Sequence, residues 1–124
     1  MADHKPPRLD AGERETLVGL LQYQRGSVVR KVAGVGEVDA SSSPLASGTT
    51  VRWVVAHLAQ AESTWVEARF AGGEPRAVPD GSLADAVAAY RSTWERVDAI
   101  VAAASLDDLC VADVAEPPVN LRWV

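Results

Sequence analysis

Apolar residues recur at helical spacing in three stretches of this chain, each bracketed by start and stop signals. In the first, Leu17, Leu20, Leu21, Val28, Val32 and Val35 share one stripe, with Glu13, Arg14, Arg30 and Lys31 beside or outside it. Asp10 is placed to cap it, Glu13 follows three positions on, and Gly34 and Gly36 stop it, predicting a helix over 10–35 behind a flexible tail, 1–9. A Ser- and Ala-rich loop follows. Thr49 or Thr50 then caps a second stripe of Val51, Val54, Val55, Leu58, Trp65 and Val66, which ends at Gly72-Gly73 and predicts a helix over 49–71. After the turn Pro79-Asp80-Gly81-Ser82, with Ser82 as cap and Asp85 completing a capping box, comes the cleanest stripe: Leu83, Ala86, Val87, Tyr90, Trp94, Val97, Val101 and Ala104. It predicts a helix over 82–104.

Beyond it, Ser105 to Leu109 reads as one capped turn, and Glu116-Pro117-Pro118-Val119 as extended chain, because proline lacks the N–H a helix needs. Asn120 is a new cap, followed only by Leu121-Arg122-Trp123-Val124. Four residues cannot meet the cost of helix nucleation. This tetrad repeats Val51-Arg52-Trp53-Val54, which opens the second helix after a capping residue of its own. The expectation is therefore a single all-α domain, a four-helix bundle present as three long helices plus the first turn, 120–124, of a truncated fourth.

Composition agrees with a folded helical domain: 48% of residues are hydrophobic and 23% charged, and four of the seven aromatics are tryptophans that fill large gaps in an Ala- and Val-rich core. A net charge of −5, without a basic patch or a base-reading motif, argues against a nucleic-acid partner. No apolar run approaches the ~20 residues of a membrane span, and the start MADHKPPRLD has no signal-like apolar region. One cysteine, Cys110, forms no internal disulfide or cysteine zinc cluster, which suits a cytoplasmic setting.

His57 is the one histidine inside a predicted element, at the border of its helix's apolar stripe, where it faces a neighbouring helix. Imidazole at such a position serves either as an interfacial hydrogen-bonding group or as one ligand of a bundle metal site. Glu62 puts a carboxylate on the same helix's buried stripe, about 140° from His57, so the two do not reach one ion together; an ion pair is its commoner role. Gln24 interrupts the first stripe and is expected to make an interior polar contact. Cys110, in an acidic context without a basic neighbour, reads as a buried or idle thiol.

With these residues in place, the chain resembles the DinB-like superfamily, in the actinobacterial branch named for mycothiol S-transferases. The resemblance lies in ERETLVGLLQYQRGSVVRKVAGV, SGTTVRWVVAHLAQAESTWVEARFAGG, VPDGSLADAVAAYRSTWERVDAIVAAASLDDL and VNLRWV, from Glu13 to Val124. It implies a four-helix bundle holding a divalent metal, zinc or nickel, through a histidine of the second helix, matched here by His57 in VAHLAQAE, and through histidines of a fourth helix that this sequence does not contain. It also implies transfer of mycothiol, a small-molecule thiol, to an electrophile, with the cation lowering the thiol pKa. With His57 as sole retained ligand, metal occupancy is expected to be poor, because catalytic zinc sites use three protein ligands.

The resemblance further implies that the second and third helices run parallel. Their link, 72–81, must then return along a helix of about 35 Å, while ten extended residues reach only about 33–36 Å. An antiparallel arrangement stays open. The expected function is a metal-dependent thiol S-transferase, or a non-catalytic helical dimerisation or interaction module degenerated from that family, with an isomerase-like relative using the same thiol as a third alternative. In the first two, the apolar face left without a fourth helix favours a homodimer.

Overall fold

A computed structural model describes residues 4–112 and 117–124. Residues 1–3 of the expected tail and Glu116 of the proline stretch lie outside it. The regular elements of the described chain are all helical, in two units, Met1–Val35 and Gly36–Val124; an isolated bridge between Leu109 and Asn120 is the one β-type pairing among the described residues.

The first unit holds α1, Glu13–Val32. It starts two residues later than a cap at Asp10 suggests: the cap is Gly12, with no side-chain hydrogen bond, and Glu13 and Glu15 supply the negative charge that suits a helix start. Residues 4–12 form no helix and fold back along α1, where the Tyr23 hydroxyl donates to the His4 carbonyl at 2.7 Å. The expected stripe is corrected in part. Leu17, Leu20 and Leu21 are exposed, and so is Gln24, which makes no interior contact; the buried residue is its neighbour Arg25. Successive positions on a helix differ by about 100°, so a long cation is turned inward where the apolar pattern points one residue away.

The second unit opens with a short helix, α2, Glu37–Ala40, within the segment expected as loop. Then come α3, Val51–Glu62, continuing without a break into a π-helical segment, Ser63–Phe70, and α4, Leu83–Ala103. Thr50 caps α3 by accepting the Trp53 N–H. Ser82 and Asp85 form the capping box of α4 read from the sequence. Val55, Ala59, Ser63, Val66 and Phe70 are buried on one side of the interface, and Leu83, Ala86, Tyr90, Thr93 and Val97 on the other. Tyr90 and Trp94 meet edge to face at 5.0 Å, the arrangement ring quadrupoles prefer. Val54, expected on the buried stripe of α3, is exposed.

Three ties along α3 and α4 settle their direction. Near the start of α3, Arg52 donates to the carbonyls of Pro79 and Gly81, just before α4 begins. Midway, the buried Ser63 hydroxyl accepts the Arg76 N–H at 2.8 Å. Further on, Arg96 of α4 grips Glu67 of the π-helical segment. Starts lie beside starts and ends beside ends, so the helices are parallel, and the antiparallel alternative is set aside. The link closes because its second half covers about 16 Å of α-helix between Arg52 and Ser63, while residues 76–81 reach about 17 Å when extended. A π-helix packs more residues into each turn, which also shortens the path.

The π-helical segment ends as its glycines suggest. Gly72 has φ of +80°, a left-handed value that glycine adopts without the penalty of a Cβ, and the N–H groups of Gly72 and Gly73 return to the carbonyls of Ala68 and Glu67. The remaining orphan carbonyls, of Phe70 and Arg69, accept from Val111 and Ala112 of the C-terminal segment. That segment packs a second small core of Phe70, Cys110 and Leu121 against Ile100, Val101, Ala104, Leu106 and Val119.

Candidate functional site

His57 lies on the second turn of α3, with its imidazole stacked on the indole of Trp53 one turn earlier: ring centroids are 4.7 Å apart and the planes differ by 7°. Residues four apart on a helix are surface neighbours, so the helix itself creates this pair. Its base is rigid. Thr50 accepts the Trp53 amide at 3.0 Å, and Arg52 anchors the same turn to the strap before α4. Both rings face outward, Trp53 being 52% exposed. Among the described residues no hydrogen bond orients either nitrogen of His57.

The repeated tetrad is a structural repeat as well. Asn120 accepts the Trp123 N–H at 3.1 Å, as Thr50 accepts that of Trp53, and Val124 N–H bonds back to the Asn120 carbonyl as Val54 does to that of Thr50. The two arginines match in role. Arg52 holds the strap entering α4, and Arg122 pairs at 2.9 Å with Asp107 in the turn leaving it. Each turn presents an exposed tryptophan; Trp123 lies 5.5 Å from Trp65, over which Arg69 stacks at 4.1 Å. The expected start of a fourth helix at 120–124 is thus one capped turn.

The other residues singled out from the sequence do not converge on His57. Glu62 is half-buried and partnered. Cys110 is buried in the small core at the far end of the π-helical segment. Among the described residues no group of three His, Cys, Asp or Glu side chains is arranged to hold a metal ion.

Two anchored carboxylates escape the pattern-based reading. Glu67 receives both Arg96 bonds and lies 3.9 Å from Arg76, while Glu37 of α2 accepts the N–H groups of Leu83 and Ala84 at 2.7 and 3.3 Å. Glu37 thereby adds a negative charge to the positive end of α4. A Glu three residues after a cap can be read from sequence; one that caps a helix 46 residues on cannot.

A family model described as mycothiol-S-transferase matches residues 16–124. The chain belongs to that family. The match takes in all of α3 with Trp53 and His57, all of α4 and the capped turn at Asn120, and the described elements are helical, as the resemblance implies. No curated protein and no solved structure matches the chain. No helix among the described residues is long and apolar enough to cross a membrane. Among the described residues, the donors in place do not fit the divalent metal implied by the resemblance. A catalytic zinc site takes three protein donors, and His57 is one.

Proposed function

We propose that this chain is a thiol S-transferase that uses mycothiol, with His57 at the reacting centre. The match to the mycothiol-S-transferase family over residues 16–124 carries this reading. The exposed, stacked His57 adds to it, because a transfer reaction needs a proton acceptor open to substrate. In the reaction, the thiol S–H breaks as its proton passes to a ring nitrogen of His57. The sulfur attacks the electrophilic carbon, the new C–S bond forms, and the leaving group departs with its electron pair. Trp53 holds the imidazole by stacking and offers the electrophile an apolar surface beside it.

His57 is also the residue at which the family resemblance would place a zinc or nickel ion, and no step is routed through a metal. A cytoplasmic setting, where thiols stay reduced, belongs to the same proposal. So does a homodimer, favoured by the exposed Trp53, Val54 and Trp123. The test is to incubate the purified chain with mycothiol and an aryl halide and to quantify the thioether by mass spectrometry. Formation well above the protein-free rate is expected. Equality with that rate contradicts the proposal and favours a non-catalytic helical module.

A further inference from the structure

We infer that this chain does not itself retain a divalent cation, and that His57 is a monodentate, freely exchanging imidazole, in departure from the metal centre its family resemblance implies. Three observations converge. The first is the donor count: no trio of His, Cys, Asp or Glu side chains is grouped for an ion among the described residues, whereas a retained transition metal needs three or four protein donors.

The second is that three glutamates and the one thiol of the same unit are committed elsewhere. Glu67 is gripped by Arg96, Glu37 by the first amides of α4, and Glu62 is partnered. Cys110 is buried against Phe70 and Leu121, beyond the end of the π-helical segment, 13 residues past His57. Freeing any of them costs a charge-assisted hydrogen bond or opens a packed core.

The third concerns His57 itself. Metal-binding imidazoles almost always donate their second ring N–H to a carboxylate or carbonyl, which fixes tautomer and direction. Here no such bond exists among the described residues, and the ring is held by its face on Trp53, which leaves both in-plane nitrogens to water. That geometry orients a ring for contact with solutes. It does not build a cage.

The test uses the untagged, full 124-residue chain, loaded with excess zinc or nickel, passed through gel filtration and assayed for metal by mass spectrometry. Far less than one equivalent is expected to remain. In parallel, nickel is titrated while tryptophan emission is followed, since an ion on His57 sits against the Trp53 indole and quenches it. Only a shallow, non-saturating loss at micromolar nickel is expected, unchanged in His57→Gln. Stoichiometric metal after gel filtration, or saturable quenching at equimolar nickel that His57→Gln abolishes, overturns the inference. Either result leaves the thiol-transfer reading standing, and a failed transfer assay leaves this inference standing, so the two are separable.

Discussion

The Nε of Arg96 on α4 donates to both carboxylate oxygens of Glu67, at 3.1 and 3.2 Å, and so fixes the π-helical segment against α4 near the ends of both. Glu67 is only 11% exposed, and a second guanidinium nitrogen of Arg96 reaches the Thr93 hydroxyl at 3.3 Å. Removing one member leaves a largely desolvated charge behind. Arg96→Ala is expected to lower unfolding free energy by about 2–3 kcal/mol in urea titration, with the m-value unchanged. A change below about 0.5 kcal/mol would place this pair among ordinary surface ion pairs.

Arg52 straps the link to the start of α3. Arg52→Ala is expected to cost about 1 kcal/mol and to raise hydrogen exchange in residues 76–82 while α4 stays protected. Exchange rising uniformly over α4 would mean that the strap and the helix open together.

The Glu37 carboxylate caps α4 from outside that helix. Glu37→Gln keeps much of the shape and removes the charge, so it should lower the melting temperature at low salt, corresponding to about 0.5–1 kcal/mol, with the difference narrowing as salt is added. A salt-independent loss would assign the effect to geometry alone.

Gly72 carries the positive φ that ends the π-helical segment, and an added Cβ would meet the Val111 side chain at 3.4 Å. That contact is ordinary, so the backbone decides: Gly72→Ala should cost about 1–2 kcal/mol in thermal unfolding, and Gly72→Asn less. Equal losses would point to the Val111 contact instead.

Most of α4 is legible in the sequence because its apolar period, its capping box and its burial agree at Leu83, Ala86, Tyr90 and Val97. The glycine stop at Gly72 and the Asn120 cap are legible for the same reason: each needs only a local backbone geometry. The π-helical register of Ser63–Phe70 is not, since it is a choice of hydrogen-bond partner that leaves the apolar spacing almost unchanged. Arg25 and Glu37 escape for another reason. Neither the burial of a single cation nor the distant partner of Glu37 leaves a periodic trace, so Leu17, Leu20 and Gln24 draw the eye while Arg25 is the buried residue. His57 and its helix are legible as a candidate, and so is its want of partner ligands, but its stacking on Trp53 emerges only in three dimensions.

Mycothiol is expected to engage the face of α3 that carries Trp53 and His57. The most direct measurement is a titration of the isotope-labelled chain with mycothiol, followed by amide and indole NMR shifts. Saturable shifts concentrated on the Trp53 indole and on residues 53–58, and lost in His57→Ala, are the predicted result. Saturable shifts confined to other elements, or none at millimolar thiol, would contradict it.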